Sequence, residues 1–197
     1  MKFDRPPQPS FLAENYKRWG KEFKDKRDQN QSAPFQWKTY QGKPLNELIL
    51  LELESVSKNH CAFCDGYPLG TFARQTLEHF RPKSHFPQLA YVWWNLFVCC
   101  DKCQSSKGEK FDRKLLKPDQ PAYTFEHYFI INYRTGEIEV NPTASEKDQE
   151  RARITIEFYG LNQHGRPRSR LHEYRKFQDL RDKGYSVDDF SYRFFME

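Results

Sequence analysis

Apolar residues recur at helical spacing toward both ends of the chain and lose that period in the middle. Ser10 is placed to cap a helix running through Tyr16, Trp19 and Phe23, which lie three or four residues apart on one face. The polar stretch 29–33 reads as a loop. Pro44 takes the first-turn position of a second helix that runs to about Lys58, with Leu45, Leu48, Ile49, Leu51, Leu53 and Val56 as its apolar face. Residues 71–80 read as a hairpin or short strands, closed by Arg81-Pro82, and Pro87 keeps the next loop irregular. Residues 93–98 read as a turn entering a buried strand, followed by a short helix through Lys107 that Gly108 stops.

Beyond that point, 123–133 and 137–140 form an expected hairpin around Arg134-Thr135-Gly136. Thr143-x-x-Glu146 or Ser145-x-x-Asp148 supplies a capping box for a helix that stops at Gly160. A last helix spans about 169–183, before Gly184. The expected fold class is α+β, with a helical region at 1–58, a central core at 59–117 and a hairpin with helices at 118–197.

At 197 residues the chain suits one domain with appended helices. Hydrophobic residues make up only 37% while aromatics reach 16%, so the core is expected to be built from rings. The net charge of +5 permits a polyanionic partner. Basic residues cluster at Lys17, Arg18, Lys21, Lys24, Lys26 and Arg27, and again at Arg151, Arg153, Arg166, Arg168, Arg170, Arg175 and Lys176. They read either as solvated faces or as phosphate contacts. The opening MKFDRPPQPS has no apolar run of a signal peptide, and no stretch approaches the ~20 apolar residues of a membrane span. A cytoplasmic, reducing location without membrane contact is expected, where paired Cys-x-x-Cys units hold metal more often than they form disulfides.

Four cysteines carry that signal: Cys61-x-x-Cys64 and Cys100-x-x-Cys103. Each two-residue spacer lets both thiolates reach one tetrahedral Zn²⁺, provided that residues 65–99 double back. His60 and Cys99 stand as alternative ligands. Inside this bracket lie Glu78-His79 and Asn95, and Gln104-x-x-Lys107 follows at once. Phosphodiester hydrolysis needs a base such as neutral His79, and a hard cation such as Mg²⁺ or Mn²⁺ held by Glu78. Asn95 can orient the imidazole or tie down the loop, Gln104 offers a second oxygen ligand, and Lys107 can face the phosphate.

This pattern resembles the HNH endonucleases of the ββα-metal class. The runs EHFRPKS, WxNL at 93–96 and CxxC-x-SSKG are similar to the HNH proteins of Septu-type and retron-associated anti-phage systems, the PtuB-like group. The Gly160-Leu161-Asn162 step fits that group as well. The resemblance implies His79 as general base, Glu78 as ligand of the catalytic metal, Asn95 as the middle motif residue and the four cysteines as structural zinc ligands. It implies DNA or RNA as substrate and a separate ATPase subunit as partner, since no Walker A run occurs in this chain. Gln104 departs from the His or Asn usual at the third motif position. A zinc-containing module that binds nucleic acid or protein without catalysis is the alternative.

Overall fold

The computed structural model describes residues 2–71 and 73–196. At the start, α1 (Ser10–Ala13) and α2 (Tyr16–Gln29) replace the single expected helix. Ser10 opens the first turn and Pro9 is the cap residue, so Ser10 itself caps nothing. A short hairpin, β1 (Thr39–Tyr40) with β2 (Lys43–Pro44), then leads into α3 (Leu45–Ser57). Pro44 pairs with Thr39 and is extended at ψ 129, which puts it before the helix rather than in its first turn. On α3 the buried stripe is Leu45, Ile49 and Leu53, spaced by one turn; Leu51 and Val56 face outward, at 62% and 37% exposure.

The middle of the chain is a ββα unit. Strand β3 (Gln75–His79) pairs antiparallel with β4 (Leu96–Cys100), with Glu78 opposite Phe97 and His79 opposite Leu96. Helix α4 (Asp101–Lys107) follows directly and packs on both strands. The expected hairpin at 71–80 is therefore one strand whose partner lies beyond a long loop; Phe72 falls outside the described residues. The loop 80–95 is not free chain. Asn95 accepts a hydrogen bond from Arg81 N–H at 2.8 Å and donates to the carbonyls of Arg81 and Leu89, both at 3.1 Å.

After the core come α5 (Phe125–Tyr128), β5 (Phe129–Ile131) paired with β6 (Ile138–Val140), α6 (Glu146–Phe158) and α7 (Arg166–Leu180). The first part of the expected strand 123–133 is helical instead. Ser145 is the cap of α6, accepting from Asp148 N–H at 3.2 Å. Helix α7 begins three residues before Ser169, because Gly165 supplies a left-handed lead at φ +72 and Pro167 suits a first turn.

Both flanks are laced into the core. Phe3 N–H donates to Pro118 O at 3.0 Å, Trp93 Nε1 to Pro6 O at 2.9 Å, and Arg5 pairs with buried Asp119. From the other end, Arg193 grips Asp65, one residue past Cys64, at 2.7 Å. Rings fill the interior as expected: Phe63 stacks on Tyr159 at 4.0 Å, and Phe97 meets Phe3, Phe63 and Phe80.

Helix α2 is seated on the loop segment Pro87–Leu89 through Gly20, where an added Cβ would lie 2.5 Å from the Gln88 carbonyl oxygen. Alanine is the better helix former by about 1 kcal/mol. Overpacking against a fixed backbone costs about 1–3 kcal/mol, and here it outweighs propensity. Gly20→Ala is expected to lower the melting temperature by several degrees; an unchanged or raised value in a thermal melt would show that α2 is not held this tightly.

Candidate active site and metal centre

The four cysteines converge. Cys61, Cys64, Cys100 and Cys103 are all buried, and their sulfur atoms lie within 4.8 Å of one another. Cys64 Sγ and Cys100 Sγ are 3.7 Å apart, close to the ~3.8 Å edge of a tetrahedron with 2.3 Å Zn–S bonds. These residues fit a zinc ion. The two alternatives are settled by direction. His60 turns its ring nitrogens to the carbonyls of Lys58 (2.8 Å) and Phe190 (3.1 Å), while Cys99, one position before Cys100 on β4, lies beside Thr76 Oγ1 at 3.2 Å.

Cys100 is the hub of the cluster. Its sulfur accepts from Cys103 N–H at 3.4 Å, and hydrogen bonds from the other three thiols push its pKa far down. Burial pushes Cys61 and Cys103 up, whereas Cys64, like Cys100, is brought down, so negative charge falls on that pair. Arg166 answers that charge. Its guanidinium is buried and donates to Cys103 Sγ at 3.3 Å and Cys100 Sγ at 3.7 Å, besides the Tyr159 carbonyl at 3.1 Å. Arg170 is wholly buried as well, bonded to the carbonyls of Gly136 and Leu161. The second basic cluster is thus not one phosphate-facing surface: two of its arginines are interior braces, which a charge count along the sequence cannot distinguish from surface ones.

Glu78 and His79 diverge from neighbouring positions of β3, as strand alternation demands. Glu78 turns toward α4, where Lys107 Nζ meets its Oε1 at 2.6 Å. Burial pushes the Glu78 carboxyl above its usual range, and Lys107 pulls against that. The ammonium is wholly buried and also donates to the carbonyls of His79 (3.1 Å) and Gly108 (3.5 Å). Its three donors are engaged, so Lys107 faces the carboxylate here and not an outside phosphate. Gln104 donates through Nε2 to Leu77 O at 3.1 Å, which leaves its carbonyl as the free end of the amide.

His79 turns the other way. Its Nε2 lies 2.9 Å from Ala90 O; a carbonyl only accepts, so Nε2 carries the proton and Nδ1 is the basic nitrogen. Trp37 stacks on the ring at 5.6 Å and 18°, and Phe35 meets it edge-on at 5.5 Å. Burial first, then the charges of Lys83 and Lys107, bring its pKa down to about 3, against the hydrogen bond to Ala90. The ring is neutral at pH 7. Asn95 spends its amide on the loop, bonding Arg81 and Leu89, while the hydrogen bond of the imidazole goes to Ala90 O.

Sequence reasoning missed Arg166, the Ala90 carbonyl, and the Phe35–Trp37 cover. Phe35 and Trp37 carried no signal beyond the general aromatic richness of the chain, which reads as core packing.

The structure is a mixed helix and small-sheet protein with a buried four-cysteine cluster able to hold a metal ion. Among the described residues no helix is long and apolar enough to cross a membrane. No family model matches the chain. It is similar to Septu protein PtuB of Bacillus thuringiensis, with 31% identity over 133 residues, which is 66% of this chain and 46% of that protein. The match thus spans about half the length of the relative.

Two measurements probe this geometry. The purified chain is expected to carry one zinc per molecule by elemental analysis, and Cys100→Ser is expected to lose both zinc and the cooperative melt, since structural zinc contributes folding energy directly. Full stability without zinc would remove the metal centre. Lys107→Met should destabilise by about 3–5 kcal/mol by stranding a buried carboxylate. Glu78→Gln added to it should recover part of that loss in denaturant titrations; no recovery would mean that the pair is not coupled.

Proposed function

We propose that this chain is a metal-dependent endonuclease of the HNH, ββα-metal type, and that it serves as the nuclease component of a Septu-like anti-phage system. The observation that carries this reading is His79: a neutral imidazole whose Nε2–H is committed to Ala90 O, leaving Nδ1 to take a proton, on a ββα unit gathered by four cysteines and next in the strand to the Glu78 carboxylate on its other face. The similarity to Septu protein PtuB supports the defence role, and an ATPase in a separate chain is the partner that this role calls for.

Glu78 and the Gln104 carbonyl are the residues that would hold Mg²⁺ or Mn²⁺. The Lys107 ammonium already stands where Glu78 demands a cation, which fits a carboxylate built for one. When bound, such a cation polarises the scissile phosphate and stabilises the leaving oxygen. His79 Nδ1 removes a proton from water, Ala90 holds the ring in the required tautomer, and Asn95 holds the loop that carries Ala90.

In the present conformation the imidazole is covered by Phe35 and Trp37. These residues belong to a segment without regular structure between α2 and β1. Displacing it would open Nδ1 to a phosphate. It would also let the pKa climb from about 3 toward the ordinary value, where a base works best at pH 7. One movement thus exposes the base and tunes it, a property suited to an effector held silent until a partner acts.

A non-catalytic zinc module is the second reading, favoured by Gln104 at a ligand position and by the covered ring. The experiment that separates the two is cleavage of plasmid, single-stranded DNA and total RNA in Mg²⁺ or Mn²⁺, with and without the partner ATPase. His79→Ala should cost roughly 10²–10⁴ in rate. Cleavage that survives in this variant would take His79 out of the mechanism, and no cleavage by the wild type under any condition would favour the binding module. Trp37→Ala should raise both basal cleavage and the rate at which diethyl pyrocarbonate modifies His79. Unaltered modification would mean that the indole does not gate the ring.

A further inference from the structure

Two residues beyond His79, Arg81 is exposed, and its guanidinium has no carboxylate partner among the described residues. Its backbone N–H and carbonyl are both hydrogen-bonded to the Asn95 amide. Its side chain lies over aromatic faces instead: Trp94 at 5.7 Å, Phe86 at 5.8 Å and Phe111 at 5.5 Å. Trp94 is itself 40% exposed, an unusual position for a large ring in a chain that buries most of its aromatics. Lys117 approaches its face at 5.6 Å.

Trp94 also lines a groove of about 420 Å³ together with Tyr16, Lys17, Lys21 and Lys24 of α2 and with Leu89. The three lysines fall on one helix face at one-turn spacing. Lys21 and Lys24 are engaged by Asp25 and Asp28 one turn on; Lys17 has no carboxylate partner among the described residues and lies over the Tyr16 ring at 5.9 Å. No acidic side chain lines the groove. Leu89 in its lining precedes Ala90, whose carbonyl holds His79, and Leu89 itself is tied by Asn95. A continuous track therefore runs from Lys17 and Tyr16 past Trp94 to Arg81, within about 7 Å of chain from His79.

We infer that this track seats a single-stranded segment of nucleic acid, with a base stacked on Trp94, its phosphate on Arg81 and the flanking phosphates along Lys17, Lys21 and Lys24. The inference rests on the nucleic-acid reading of the site and names its substrate class. Charge complementarity favours a polyphosphate, and the exposed ring selects among polyphosphates. An indole face can stack only on a base whose own face is free, and inside a duplex the neighbouring base pairs cover both faces. Recognition by stacking and phosphate contact is tolerant of sequence, so the track positions a strand without reading it.

The test is fluorescence anisotropy with labelled 12-nucleotide DNA, the matching RNA and a blunt DNA duplex, without added divalent cation, so that binding is read apart from cleavage. Wild type and His79→Ala are expected to bind single strands alike and more tightly than duplex. Trp94→Ala and Arg81→Gln are each expected to weaken single-strand binding roughly ten-fold. Lys17→Glu with Lys21→Glu should also lower the slope of log affinity against log salt by roughly 0.7 for each phosphate no longer neutralised. Trp94 and Arg81 are exposed, so melting temperature and zinc content should stay at wild-type values in their variants. Affinity unchanged in both variants, or duplex bound at least as tightly as single strands, would overturn the inference. Wild type that binds no oligonucleotide would do the same. Localised binding with no turnover in Mg²⁺ would instead overturn only the nuclease reading. The DNA and RNA arms tell which strand the track accepts.

Discussion

Four sulfur atoms within 4.8 Å of one another repel strongly once ionised, and a fold that gathers them must supply positive charge. A divalent ion held there would provide most of it, and Arg166, distant in sequence at the start of α7, provides more by direct contact. Everything at the centre depends on this neutralisation. It holds the turn at Cys61 and Cys64 against the β4–α4 junction, and that junction fixes how β3 presents Glu78 and His79. It also recruits the C-terminal region, because Arg166 opens α7 and Arg193 grips Asp65 beside Cys64.

Burial gives Glu78 and His79 opposite problems from adjacent positions. A carboxylate in a low-dielectric site needs a cation, and Lys107 is wholly committed to it. An imidazole in the same kind of site stays neutral, and one carbonyl is enough to set its tautomer. The strand's alternation separates the two environments by a single residue. One side is polar and ionic under α4, and the other is aromatic under Phe35 and Trp37. The carboxylate and the imidazole thus sit at adjacent positions without pairing with each other.

The flanks do more than shield a small core. Helix α2, seated through Gly20, supports the segment leading to the Ala90 carbonyl, and the loop after it covers the imidazole. Asn95 joins these roles. Its amide ties Arg81 and Leu89, so the backbone that carries the exposed guanidinium is hydrogen-bonded to the same residue as the loop segment leading to Ala90.

Much of the site was legible in the chain itself. Two matched Cys-x-x-Cys spacers specify a shared metal because the spacing alone lets each pair reach one ion, and the Glu78-His79 pair declares opposite faces because strands alternate. The β4 strand, the Ser145 cap and the stops at Gly108, Gly160 and Gly184 also follow from local chemistry. Other readings failed where a contact distant in sequence decided the outcome. Leu51 and Val56 fit the apolar pattern of α3 yet face outward, because only Leu45, Ile49 and Leu53 meet the core. Arg166 and Arg170 look like surface charge until thiols and carbonyls from other elements surround them. Local sequence sets what each residue can bond to; which partner it meets, and whether water is there to compete, is set by chain segments brought together only on folding.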